Sequence, residues 1–151
     1  MAVRASSELV IDAPPAAILD AIADVEAVTS WSTLHKDAEV LDRYADGRPH
    51  HVKATVKIMG ISDREILEYH WGDDWVVWDA AQTFQQRCQH GEYNLTAVGE
   101  DKTRVRFDLI LDLAAPYPEF LVRRAKKQVL DVALENLRER VMRPGAAVRR
   151  T

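Results

Sequence analysis

The hydrophobic period of this chain changes twice, and the order of those changes limits what it can fold into. Val3 to Asp12 alternates, with Leu9 and Ile11 on one side and Arg4, Ser6 and Glu8 on the other, until Ala13-Pro14-Pro15 interrupts it. From Pro15 the apolar residues Ile18, Leu19, Ile22 and Val25 follow helical spacing, and a proline suits the first helical turn. Val25 to Trp31 reads as a second short helix. Between Glu39 and Leu113 the period is two, punctuated by turn residues at Asp46-Gly47, Met59-Gly60, Gly72-Asp73-Asp74 and Gly99-Glu100-Asp101. Val52, Ala54, Val56 and Ile58 alternate with Lys53, Thr55 and Lys57; Val105, Phe107, Leu109, Leu111 and Leu113 alternate with Arg104, Arg106, Asp108 and Asp112. Each strand therefore has one dry and one wet face, as an antiparallel sheet covered on one side requires. After Pro116-Tyr117-Pro118 the 3.6 period returns in Leu121, Ala125, Val129, Val132, Ala133, Leu137 and Val141, and Pro144-Gly145 stops it.

The implied fold is α+β: a curved, seven-stranded antiparallel sheet wrapped around a long C-terminal helix, with two short helices after the first strand. About 25 helical residues reach about 37 Å, enough to cross a small sheet. A helix that touches a curved sheet only along one apolar stripe leaves space beneath it, so a cavity is expected. Residues 1–143 are read as a single ligand-binding domain and 144–151 as a frayed tail.

With 151 residues, 47% of them hydrophobic, the chain can build one core without a disulfide or metal. The lone cysteine, Cys88, excludes an intrachain disulfide or a Cys-based zinc cluster and fits a reducing compartment. No opening apolar stretch resembles a signal peptide and no run is long enough to span a membrane, so the expected location is cytoplasmic. A net charge of −4 argues against a nucleic-acid partner. That charge is uneven: from Arg123 onward nine Arg and Lys face three acids, a local +6 that leaves −10 for the rest.

Three segments resemble the START-like (SRPBCC) superfamily of helix-grip proteins, which includes the birch-pollen-allergen type, polyketide cyclases and dehydrases, and lipid-transfer domains. Val10-Ile11-Asp12-Ala13-Pro14-Pro15 running to Ala23-Asp24, followed by Trp31, is similar to the family's opening. His90-Gly91-Glu92-Tyr93-Asn94-Leu95 with Thr103 to Leu109, and Pro118 to Val141, carry the likeness onward, and the segments resemble actinobacterial members. The resemblance spans nearly the whole chain and implies a pocket for a hydrophobic small molecule. Members share that pocket but not a reaction, so it implies no particular chemistry.

Alternation and the helix stripe select Trp31, Val56, Leu67, Tyr69, Trp71, Trp78, Tyr93, Phe107, Leu109, Leu121, Ala125 and Val129 as ligand-binding candidates. Glu65 shares a face with Leu67, Tyr69 and Trp71, which would put a carboxylate near the cavity; Asp79, beside Trp78, is the other acid/base candidate. Arg123, Arg124, Lys126 and Lys127 sit where a helix could meet an anionic membrane surface, although cations near a helix start oppose its dipole. His35 to Glu39 and His50-His51 could be read as metal ligands, but there is no HExxH, no third histidine at suitable spacing and no cysteine cluster, so no metal site is expected. Without a Gly-rich phosphate loop or GxSxG, no cofactor is expected either.

The leading expectation is a carrier or sensor of a hydrophobic small molecule, monomeric or homodimeric. One alternative is a cyclase- or dehydrase-like enzyme that uses a pocket carboxylate or histidine. A second is a regulatory interaction module that uses the basic helix as its contact surface.

Overall fold

The computed structural model describes residues 1–143, so the expected tail at 144–151 lies outside the described residues. Strand β1 (Ala2–Ile11) is followed by helix α1 (Pro15–Ala23) and a 3₁₀ segment, Val25–Ser30. Then come β2 (His35–Arg43), β3 (Pro49–Ile58), β4 (Ile61–Trp71), β5 (Trp75–Ala80), β6 (Gln86–Gly99) and β7 (Lys102–Leu113). The final helical stretch is α2 (Glu119–Leu130), a π-helical segment Asp131–Asn136 and α3 (Leu137–Met142). The seven strands make one antiparallel sheet in the order β1-β7-β6-β5-β4-β3-β2, in which β1 and β2 are the edges. This is the helix-grip architecture that the change of period predicts.

Local rules account for most of these elements. Pro15 opens α1 at a position whose N–H would have no helical partner. The two-residue connection Met59-Gly60 has positive φ at both positions (53° and 82°), the backbone that joins β3 to β4 with matching twist. The inward positions of β1, β3, β6 and β7 supply Ile11, Val52, Leu95 and Val105, which meet Ile18 and Leu19 of α1 and Leu137 of α3 in the dry core. Thr103 is fully buried there and stays satisfied because its Oγ1 donates to the Ala13 carbonyl at 2.7 Å.

The last helix departs from the uniform stripe that the sequence suggests. No residue of α2 is buried, whereas Val132, Ala133 and Leu134 are buried in succession and Leu137 follows. An ordinary α-helix cannot turn three consecutive side chains inward as well; the wider π turn does so, and it reorients its backbone carbonyls. The Tyr93 hydroxyl takes one of them, donating to Ala133 O at 2.9 Å, and Asn136 Nδ2 donates to Trp31 O at 2.9 Å. Replacing Tyr93 with Phe removes the first bond and leaves a buried carbonyl without its partner. The expected cost is about 1–2 kcal/mol in chemical denaturation; an unchanged midpoint would mean that the tyrosine does not hold the π turn.

Candidate ligand cavity

The helix is pinned at its C-terminal half, whereas its N-terminal half rests along edge strand β1 and buries no residue against the rest of the concave face. The consequence is a cavity of about 340 Å³ between α2 and the concave face, within the range of roughly 300–1,000 Å³ typical of small-molecule sites. Leu121, Val122, Ala125 and Val129 of α2 roof it; Val52, Ala54 and Val56 of β3, Leu67 of β4, and Leu109 and Leu111 of β7 form its floor. Ile22, Val25 and Trp31 close one side. Ala38 and Ala54, paired across β2 and β3, keep the floor low because each carries only a methyl group.

Tyr69, Trp78, Tyr93 and Phe107 form an aromatic layer between cavity and core, with ring centroids 5.1–6.1 Å apart in tilted contacts. Trp78 lies directly over Gly91, the only residue type that fits: an added Cβ would sit 2.2 Å from the indole. The indole Nε1 donates to Gln89 Oε1 at 3.0 Å, which fixes the ring.

Of the twelve residues selected for ligand binding, eleven line the cavity: Trp31, Val56, Leu67, Tyr69, Trp78, Tyr93, Phe107, Leu109, Leu121, Ala125 and Val129. Trp71 does not. It is on the same strand face, but at the end of β4, where its indole stacks on Tyr69, donates to Pro49 O at 2.8 Å and lies under the Arg48 guanidinium. Alternation sets the face of a strand and carries no information about how far the helix reaches along it.

One end of the cavity is polar. Glu65 of β4 is 8% exposed, and its Oε2 accepts from Gln86 Nε2 and Gln89 Nε2, each at 3.0 Å. Burial pushes its carboxyl up to about 7, opposed by the Gln89 hydrogen bond, reinforced by the charge of Asp63 and opposed again by Gln86. Thr83 Oγ1 donates to Asp63 Oδ2 at 2.6 Å, and the Tyr117 hydroxyl donates to Gln85 Oε1 at 3.2 Å. His35 also lines the cavity; burial lowers its imidazole to about 4, so it is neutral at neutral pH, and it shares a 2.6 Å hydrogen bond with the Ser32 hydroxyl. The site thus combines apolar walls with the carboxyl groups of Asp63 and Glu65, the latter held well above the usual carboxylate range by burial.

Strand alternation could not reveal Gln86 and Gln89 as a pair, because residues three apart on a regular strand face opposite ways. The ladder between β6 and β7 slips between Gln86 and Cys88, and the extra residue turns both amides inward. A similar slip between His35 and Asp37 lets His35 and Ala38 both face the cavity.

Asp79, the second acid candidate, is corrected by the structure: it is exposed and pairs with His90 Nδ1 at 2.7 Å, where Asp79 and then Glu92 raise the imidazole by hydrogen bonding. It cannot serve a cavity on the opposite face. Arg123, Arg124 and Lys127 are exposed on α2, while Lys126 runs along the cavity rim. Arg123 pairs with Glu119 at 3.3 Å and Lys127 with Asp131 at 2.9 Å, both one helical turn away. No helix among the described residues is long and apolar enough to cross a membrane.

Residues 11–138 match the family model described as polyketide cyclase/dehydrase and lipid transport. Among solved structures, a START superfamily protein from Mycobacterium smegmatis superposes with a TM-score of 0.81 at 24% identity, covering 91% of this chain and 96% of that one. A protein from Thermus thermophilus gives 0.77 at 23% identity, covering 93% and 97%. An aromatase/cyclase from a Streptomyces species gives 0.75 at 13% identity, covering 96% and 99%. At these identities the likeness is one of fold. No functionally curated protein matches the sequence.

Proposed function

Given that the chain belongs to the polyketide cyclase/dehydrase and lipid transport family, we propose that residues 1–143 act as one domain that holds a hydrophobic small molecule, such as a lipid or a polyketide, between sheet and C-terminal helix. The observation that carries this reading is the 340 Å³ cavity, walled by apolar and aromatic side chains, with the carboxyl groups of Asp63 and Glu65 at its polar end. Apolar burial, at about 25 cal/mol per Å², supplies the affinity. Glu65, with Gln86 and Gln89, orients the ligand's polar group. Carriage or sensing is favoured, in the cytoplasm and as a monomer or homodimer, because the apolar lining serves binding whether or not a reaction follows. Lys126 at the cavity, with Arg123, Arg124 and Lys127 exposed on the same helix, gives α2 a cationic side suited to a transient anionic membrane surface.

A second reading rests on a specific observation. A carboxyl group brought to about 7 by burial can both donate and accept a proton near neutral pH, so Glu65 suits a cyclase- or dehydrase-like proton transfer. The basic helix as a regulatory contact is a third reading, supported only by its charge.

Mass spectrometry of gently purified protein tests the first proposal. We expect a co-purifying hydrophobic molecule, together with quenching of tryptophan emission when lipid or polyketide mixtures are added, since Trp31 and Trp78 line the cavity. Repeated absence of both would overturn it. A carrier retains ligand binding when Glu65 is changed to Gln and never consumes its ligand, whereas an enzyme converts a polyketide substrate and loses that conversion in the same variant.

A further inference from the structure

The outer face of the sheet carries a second cluster of titratable side chains, unconnected with the cavity. Pairing between β2 and β3 slips twice within a few residues: His51 is opposite Asp42 and Pro49 opposite Arg43, so His50 has no partner of its own. That bulge turns two consecutive histidines to the same side, where consecutive strand residues ordinarily point apart. Their rings lie side by side with centroids 4.0 Å apart.

Both imidazoles present Nδ1 to one carboxylate oxygen. Asp42 Oδ1 is 3.0 Å from His51 Nδ1 and 3.5 Å from His50 Nδ1, and one ligand atom from each of the three residues lies within 4.8 Å of the others. Two ligands that share a tetrahedral zinc ion are about 3.3 Å apart, because each stands roughly 2.0–2.2 Å from the metal. The opposite edges of the rings face a second carboxylate. His51 Nε2 is 3.8 Å from Glu68 Oε1 and His50 Nε2 is 3.8 Å from Glu68 Oε2. Glu68 is held in turn by His70 Nε2 at 3.1 Å, and His70 by the Tyr44 hydroxyl at 3.2 Å. Metal-bound histidines generally direct their second nitrogen at such a carboxylate, which fixes the tautomer and the ring orientation.

We infer that Asp42, His50 and His51 form a surface site for a divalent zinc ion, with Glu68 and His70 as positioning residues. Imidazole and carboxylate donors suit zinc, and three protein ligands leave a coordination position for water. The ligands come from an edge strand and its neighbour, so the ion would clip β2 to β3. His70, absent as a third histidine at sequence spacing, arrives from β4 through the sheet register.

The test uses the untagged full-length protein, titrated with zinc chloride against a chromophoric chelator at neutral pH. One equivalent of zinc should bind saturably and raise the melting temperature. His50→Ala and His51→Ala should each abolish saturable binding, and Asp42→Asn, which preserves side-chain volume should the alanine variants fail to fold, should weaken it at least tenfold. Glu68→Gln should weaken binding by about 10- to 100-fold, as loss of an outer carboxylate does elsewhere. Unsaturable binding by the unaltered protein would overturn the inference, as would affinities in the folded Asp42 and histidine variants equal to that of the unaltered chain.

Discussion

Gly91→Ala is expected to destabilise the protein by about 3 kcal/mol, lowering the melting temperature by on the order of 10 °C. The added methyl would lie 2.2 Å from Cζ2 and 2.3 Å from Cε2 of Trp78, inside any tolerable separation. The indole has nowhere easy to go: it is hydrogen-bonded to Gln89 and packed against Tyr69, Tyr93 and Phe107. Relief requires moving it toward the cavity, so the surviving folded fraction should also bind hydrophobic probes less well. Gly99→Ala is the control, since the nearest atom to its new methyl would be the Lys102 Cβ at 3.7 Å; its stability should stay within about 0.5 kcal/mol. Thermal melts of the two variants side by side check this, and equal behaviour would show that Trp78 does not need the glycine.

Glu65→Gln is expected to stabilise the protein at neutral and alkaline pH and to do nothing in acid. The sign follows from the folded carboxyl standing at about 7 against an ordinary 4.5. Below pH 4 the group is protonated in both folded and unfolded chains and contributes no difference. Between 4.5 and 7 the unfolded chain ionises while the folded one holds its proton, so stability falls as pH rises; above 7 the whole cost of a buried carboxylate is felt. At 1.36 kcal/mol per unit, that cost is on the order of 3 kcal/mol. Glutamine keeps a carbonyl to accept from Gln86 and Gln89 but has no charge to bury. Urea denaturation of both proteins from pH 4 to pH 8 measures the difference, which should grow with pH. A difference independent of pH would place the ionised carboxylate in a solvated setting and remove the basis for both its orienting and its acid/base roles.

The sheet was readable because the sequence alternates cleanly. Val52, Ala54, Leu67, Val105 and Phe107 are inward in the structure as alternation requires, and Glu65 follows Leu67 to the same side. Alternation failed wherever an extra residue entered a strand. Gln86 with Gln89, His35 with Ala38, and His50 with His51 are all brought together by such slips. A bulge has no strong local signature, since the backbone adopts it only when the neighbouring strand runs past with one residue fewer. Trp71 and Asp79 failed for other reasons: the first is on the right face beyond the reach of the helix, and the second is on the wet face of β5.

By itself the sequence determined the element order, the α+β class, the dry face of each regular strand and the contrast between an acidic body and a basic C-terminal helix and tail. These depend on neighbours along the chain, through pleat, helical repeat and turn stereochemistry. Only the tertiary structure decided that α2 rests along edge strand β1 without burying a residue while the π turn and α3 sink into the core, which sets where the cavity lies and which carboxyl groups line it. That division has a physical cause: the position of a helix over a sheet, and the slips in strand pairing, minimise the energy of contacts between residues far apart in sequence, and no short stretch of chain encodes them.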